Sequence, residues 1–595
     1  MLRLHPLRLA LLGSVLLSVA LSHAANPPKG FVSLFNGKDF AGWYGWSTKN
    51  PQDLWKMTPA EQAAYKKTSV QGDPAAKIDP KKGPEHILAH WSVKGDEIVN
   101  DGKGLYLTTE KDYGDFELMV EYKALPDGDS GIYLRGIPQV QIWDATKGDP
   151  RNLGQDKGSG GLWNNSAGSP GKNPSKKMDK PFGQWNQFNI RMVGDRVRVI
   201  FNGETVVDNA PLENYFAKKM FEEAKKAGQL TDPNAFPDPA FLKGPIQLQT
   251  HGSEIRWRNL FIREIPADEA NRILAGSEQG FTRLDSGKDL AGWQGAVENY
   301  EVVDGAIVCK KGKGGNLLSK EEYGDMVLRF EFKLPSGGNN GIALRTPLNG
   351  HPAADGLEIQ VIDNDGYNAA HPKSPLKDYQ RHGSIYHCAG AKPGYLRPVG
   401  QWNYEEIRVE GQRITVAVNG FKILDADLTK IDRSKLERVP GGLDRTSGHI
   451  GFAGHNDPVA FRNVRVKRLA AAPAAVAKTE APAKKPEAPA ATKSPSPTPA
   501  APASAPATAP VMVAANGPST ETPAAEPKVE EPVVADEVIL EPVIDENPAY
   551  LQEAPEEKPA DEKKAKRSKK TRVRSDDRPG SIFGRNAFLS RPRHG

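Results

Sequence analysis

The residues best suited to chemistry lie in a short run of alternating sequence, Leu357-Glu358-Ile359-Gln360-Val361-Ile362-Asp363. Side chains point alternately to the two faces of a strand, so Glu358 and Gln360 share one face while Leu357, Ile359 and Val361 share the other. Asp363 closes the run where its carboxylate can turn toward the same cavity. In Gly341-Ile342-Ala343-Leu344-Arg345 the same alternation puts Ala343 and Arg345 opposite Ile342 and Leu344. If the two strands are neighbours, a Glu, a Gln, an Asp and an Arg converge on one polar surface above an apolar core. An ionisable base beside amide groups and a fixed positive charge suits proton transfer. The bland alternative is a solvent-facing sheet with ordinary ion pairs.

Histidines extend the set. His251 and His455 each precede a last strand, in LQTHGS and FAGHND, where an imidazole either caps a turn or serves a site. His382 and His387 are five residues apart, and either one with Glu358 or Asp363 makes an oxygen-and-imidazole set of the type that holds a divalent metal. The sequence leaves the metal, and any other cofactor, open. It contains no His-Glu-x-x-His, no phosphate-cradling glycine loop and no Gly-x-Ser-x-Gly elbow.

The chain states this pattern twice. Phe31–Trp43 returns as Phe281–Trp293, Tyr113–Lys123 as Tyr323–Lys333, Ser130–Arg135 as Asn340–Arg345, Val140–Asp144 as Ile359–Asp363, Gly183–Met192 as Gly400–Val409, and Trp257–Ile265 as Phe461–Leu469. Matched blocks some two hundred residues apart mean two homologous domains, since solenoid and propeller repeats recur every ~20–50 residues. Arg135, Gln141, Asp144 and His251 repeat Arg345, Gln360, Asp363 and His455. Glu358 has Gln139 as its counterpart, and Tyr386-His387 has Trp163-Asn164. A Gln keeps the shape and hydrogen bonding of a Glu without its ionisable oxygen. The second copy is therefore the expected catalytic half, and the first a binding half.

The elements that must hold these residues are short alternating runs such as Phe116–Tyr122 and Arg196–Phe201, punctuated by Asn202-Gly203 and, in the second copy, Asn419-Gly420. That pattern predicts antiparallel strands with tight hairpin turns in a sandwich or jelly roll. The first copy carries two insertions. Residues Tyr44 to His90 include a helix opening at the capping box Thr58-Pro59-Ala60-Glu61, and Leu212 to Phe241 include a second helix stopped by Gly228. Such helices either line the mouth of a binding face or pad an edge. A short helical connector over Pro266–Gly276 joins the copies.

At 595 residues, with a formal net charge of +5, the chain has room for both domains and no basic excess that would call for nucleic acid in the globular part. Residues 1–24 read as a secretory signal peptide, with Arg3 and Arg8 before an apolar run and a small-x-small site at Ser22-His23-Ala24. Export to the periplasm or the medium is expected. The domains run over 28–265 and 279–469, joined by 266–278. Residues 470–595, rich in Ala, Pro and Lys, are expected to be a disordered tail. Its basic cluster Lys563–Arg574 offers contact with an anionic cell surface. Cys309 and Cys388 are the only cysteines, and whether they pair is open.

Taken in order, LFNGKDFAGW, YGDFEL, SGIYLR, EIQVID, GQWN and the RN-containing last strand resemble the 3-keto-disaccharide hydrolase domain family, over Gly30–Ile265 and Gly280–Leu469. The resemblance implies an all-β fold of two concanavalin-like jelly-roll β-sandwich domains in tandem. It also implies an oligosaccharide or glycoside substrate. A ketone at carbon 3 acidifies the proton on carbon 2, so a base can expel the anomeric group by elimination, and water then adds back. On that reading Glu358 is the base, Arg345 the electrostatic stabiliser, and His455 or His387 the proton donor or metal ligand. Gln360, Asp363, Tyr386, Arg135, Gln141, Asp144, Trp163 and His251 would contact the sugar. The competing readings are a lectin-like carbohydrate-binding protein and a structural envelope protein held by its tail.

Overall fold

Alternation of apolar and polar residues builds strands such as Phe116–Ala124, Asn186–Val193 and Arg196–Phe201. In Phe116–Ala124 the side chains of Phe116, Leu118, Val120 and Tyr122 are buried while those between them are partly exposed. The computed structural model describes residues 25–75, 84–149 and 153–470. The expected signal peptide and the tail beyond 470, with its basic cluster, lie outside the described residues.

Two copies of one architecture result. Each pairs an eight-stranded antiparallel sheet with a five-stranded one. In the first copy the five-stranded sheet runs Trp43–Trp46, Tyr106–Thr109, Gln247–Leu248, Asp129–Leu134, Ile137–Trp143. In the second it runs Trp293–Gly295, Gly314–Tyr323, Gly448–His455, Asn339–Thr346, Leu357–Ile362, in the same spatial order. The inner faces meet in aromatic cores: Tyr122 stacks against Phe188 and Phe201 in one copy, and Phe330, Phe452 and Phe461 pack together in the other. The fold is therefore two β-sandwiches in tandem.

Hairpin chemistry follows the expected turns. Asn202 and Gly203 have φ of 48° and 90°, and Asn419 and Gly420 have 51° and 86°, the pair of left-handed residues a two-residue hairpin turn requires. Both insertions carry their helices. Pro59–Gln71 opens on the Thr58–Glu61 capping box, and Tyr215–Lys226 is capped by Asn214, whose side chain accepts from Ala217 N.

The connector helix Ala267–Ala275 lies in the joint between the sandwiches. Its Asn271 donates to Glu331 of the second copy at 3.1 Å and accepts from Arg397 Nη1 at 2.6 Å, while Arg397 Nη2 reaches Asp115 of the first copy at 3.5 Å. The second insertion crosses the joint as well: Asp427 N donates to Asn234 Oδ1 at 3.0 Å, and Lys392 pairs with Asp238 at 2.6 Å. Backbone meets backbone where Gly194, in a turn of the first copy, abuts the Asn419-Gly420 turn. A Cβ added to Gly194 would stand 2.5 Å from Asn419 O.

Candidate functional site

The five-stranded sheet of the second copy presents Glu358 and Gln360 on the face away from the core, with Leu357, Ile359 and Val361 packed inside. Ala343 pairs with Glu358 and Gly341 with Gln360 in the neighbouring strand. Glu358 folds over Gly341, where an added Cβ would lie 2.1 Å from Glu358 Oε1. Only a residue without a side chain leaves it that room. His455, at the end of Gly448–His455, puts Nε2 3.7 Å from Glu358 Oε1. The carboxylate is 3% exposed and the imidazole 43%, so the ring presents the pair to the outside and the acid stands behind it.

The electrostatics separate two histidines. Burial works against the charged form of His455, but the Glu358 carboxylate, with Asp457, outweighs it and raises the imidazole above its ordinary value. Burial lowers His387 instead, against the pull of Glu437 and Glu358. His387 lies within 4.4 Å of Tyr386, ring centre to ring centre, and its backbone sits at φ 63°. A left-handed conformation costs a residue with a side chain roughly 1–2 kcal/mol, and strain of this kind gathers at functional sites. Gln360 Nε2 donates to Asn339 Oδ1 at 2.9 Å, which fixes the polar floor.

Several sequence candidates are placed elsewhere. Arg345 does not join the Glu358 face. The pairing register of its strand shifts between Ala343 and Thr346, and Arg345 itself takes φ 51°. The alternation breaks there, and the guanidinium turns to the carbonyls of Gly411 and Gly442. Arg135 repeats this in the first copy: fully buried, it donates to Gly114, Gly194 and Phe241 carbonyls and pairs with Asp115. Asp363 accepts from Gly337 N at 2.9 Å, and Asp144 from Asp127 N at 3.0 Å. Each aspartate thus latches a turn rather than facing the sheet. His382 is buried against Phe332, 5.0 Å between ring centres, with Nε2 3.2 Å from Glu405. It cannot share a metal with Glu358 from there, and among the described residues no group of three or more His, Cys, Asp or Glu is placed to hold a metal ion. Cys309 and Cys388 are both free thiols, and burial pushes Cys388 up to about 12.

The first copy is not a bare version of the second. His251 Nδ1 stands 3.1 Å from Asp129 Oδ2, and Gln141 Nε2 donates to Asp129 Oδ1 at 2.9 Å. Gln139, the counterpart of Glu358, donates to Gln141. A cleft of about 280 Å³ opens here, walled by Trp143, Trp163, Tyr133 and Tyr215. Thr48 and Tyr215 come from the two insertions, which therefore line the cleft and do more than pad an edge. Sequence comparison passed over Asp129 because it lies one residue upstream of the SGIYLR block. The signal was there: its counterpart is Asn339, so the exchange of acid for amide on one strand mirrors the exchange of Glu358 for Gln139 on the next.

Two sandwiches with polar, partly aromatic faces on their smaller sheets define a class, and comparison with known proteins supplies the family. Both copies match the 3-keto-alpha-glucoside-1,2-lyase-like domain, over residues 30–263 and 280–467, and the chain belongs to that family. A 3-keto-disaccharide hydrolase of Bacteroides thetaiotaomicron is 28% identical over 232 residues, covering 32% of this chain and 79% of that protein. Among solved structures, a protein of Parabacteroides distasonis whose name assigns it to the glycosyl hydrolases is 25% identical, with 32% of this chain and 95% of that one covered and a TM-score of 0.29. A carbohydrate binding module from Bacillus subtilis is 15% identical over 32% of this chain and 95% of its own, with a TM-score of 0.19.

Proposed function

We propose that the chain is an exported carbohydrate hydrolase that cleaves 3-keto-glycosides by elimination followed by hydration, with its second sandwich as a catalytic half. Family membership and the Bacteroides relative support a carbohydrate hydrolase as the class. The observation that carries the mechanism is the contact of His455 Nε2 with Glu358 Oε1 at 3.7 Å, with the backbone N–H of Tyr386, next to His387, donating to Glu358 O at 2.9 Å; of the two histidines His455 is raised and His387 lowered. Groups whose environments push their pKa values apart are the natural acid and base of a site.

On this reading His387, neutral near pH 7, takes the proton from carbon 2 of the keto sugar. The electron pair is held by the adjacent ketone and then expels the glycosidic oxygen from carbon 1, leaving a double bond between carbons 1 and 2. His455, whose charged form the Glu358 carboxylate favours, gives a proton to the departing oxygen. Water adds across the double bond, its hydroxyl to carbon 1 and a proton to carbon 2, and the sum is hydrolysis. Glu358 therefore acts through His455, and Gln360 and Tyr386 orient the hydroxyls.

The test is release of 3-keto-glucose from a 3-keto-disaccharide by the wild-type chain and by Glu358→Gln. General acid–base groups contribute on the order of 10²–10⁴-fold, and a loss in that range is expected of the second sandwich's share of turnover. Undiminished turnover in the variant would refute the assignment. Binding without any product from the wild-type chain would instead identify a lectin. Cleavage after Ala24, read by mass spectrometry of the secreted protein, tests the export.

A further inference from the structure

Beyond the Glu358 site, the cleft of the first sandwich also gathers titratable groups. It holds an acid and an imidazole in contact, yet its acid is on a different strand and meets a different ring nitrogen. In the second copy the carboxylate is on Leu357–Ile362 and faces His455 Nε2. In the first it is on Asp129–Leu134 and faces His251 Nδ1 at 3.1 Å. The acid has changed strands while the pairing with the histidine has been kept.

We propose that the first sandwich is a second catalytic centre, in which Asp129 positions His251 and His251 Nε2 transfers the proton, acting on a single terminal ring of a 3-keto-glycoside. The inference rests on the function proposed above and extends it to a second site. A carboxylate on Nδ1 holds the proton on that nitrogen and makes Nε2 the basic atom. His251 is 54% exposed and Asp129 24%, so the ring faces the cleft and the acid lies behind it. Gln141 steadies the same carboxylate at 2.9 Å, and a hydrogen bond on the partner of a catalytic base is what fixes its geometry. The position of His387 is taken by Asn164, which lines this cleft, so one imidazole must act where the second copy has two.

The walls identify the ligand. Trp163 and Tyr215 offer flat apolar surfaces with a polar edge, suited to the face of a sugar ring, while Gln139, Gln141 and Asn164 supply amides for its hydroxyls. A volume of about 280 Å³ falls just under the ~300–1,000 Å³ of pockets that enclose drug-sized ligands. It fits one pyranose ring, with the rest of the glycoside outside. Hydrogen bonds between Thr48 Oγ1 and the hydroxyls of Tyr106 and Tyr133, each 2.9 Å, close one wall.

The experiment uses the full chain with a 3-keto-disaccharide. Glu358→Gln should retain a residual turnover that belongs to the first sandwich. Adding Asp129→Asn to that variant should lower the residual kcat on the order of 100-fold with KM unchanged, whereas adding Trp163→Ala should raise KM with kcat largely kept. Nitrogen-15 spectra of the imidazoles give a readout that a structural role would not move: His251 should carry its proton on Nδ1 in the wild-type chain and shift toward Nε2–H in Asp129→Asn. Turnover that disappears in Glu358→Gln alone, or a double variant equal to the single one, overturns this inference and leaves the proposed function standing. Absence of turnover in the wild-type chain overturns both.

Discussion

At the scale of single residues, the Glu358–His455 pair makes a pH-dependent claim. The folded-state pKa of His455 is raised above its ordinary value near 6.5, so the pair's contribution to stability is fully present below that value and is lost as pH rises through the folded pKa. Melting temperatures of wild type and Glu358→Gln should therefore differ most in mildly acidic buffer and converge in alkaline buffer. A constant difference across pH 5–9 would show that the carboxylate stabilises by packing alone. The shared face of Glu358 and Gln360 was legible in the sequence, because strand alternation alone put them there. Arg345 was not, because the same rule fails at a bulge: one left-handed residue at φ 51° reverses the face on which a side chain emerges. Asp129 was not legible as a partner of His251 either, since the two lie 122 residues apart and meet only through the sheet.

At the scale of elements, small residues decide which side chains the sheet can carry. Gly341→Ala should dislodge Glu358, whose Oε1, Cδ and Cγ all lie within 2.6 Å of the added methyl group. The expected result is a loss of second-sandwich turnover comparable to that of Glu358→Gln, with an unchanged far-ultraviolet spectrum. The equivalent Gly131→Ala is milder, because the nearest atom is Gln139 Cδ at 2.9 Å and an amide at that position can turn aside. The first inserted helix acts on the sheet edge: Ser69 Oγ accepts from Gly45 N at 3.0 Å, and Tyr65 donates to Gly45 O at 3.1 Å. Thr58→Ala removes the cap that starts this helix and should cost about 1 kcal/mol, visible in chemical denaturation and in faster hydrogen exchange over Pro59–Gln71. The helices themselves were legible from their caps. That they wall the cleft was not, because a capping box fixes where a helix begins and says nothing of what it packs against.

At the scale of the whole molecule, the joint between the sandwiches contains a charge that opposes folding at neutral pH. Burial pushes Asp195 up to about 6, against the pull of Arg196, Arg135 and Lys422. The folded protein thus binds a proton that the unfolded chain lacks between about pH 4 and 6, and stability rises as pH falls through that window. Asp195→Asn should stabilise the protein by roughly 1–3 kcal/mol at pH 7.5 and by little at pH 4; equal effects at both would exclude the linkage. The duplication itself was plain in the sequence, but the joint was not, since its contacts join turns that do not correspond between the copies. Gly194 of the first sandwich touches Gly420 of the second, yet the counterpart of Gly194 is Gly411 and that of Gly420 is Gly203. A union of unlike surfaces has no two-fold axis and does not close on itself. The Gly203 and Gly411 positions, with no atom within 4 Å of an added Cβ, are the counterparts of the two halves of that union. The molecule is in this respect a two-bead segment of a directional string, with one unpaired half of the contact at each of those two glycines.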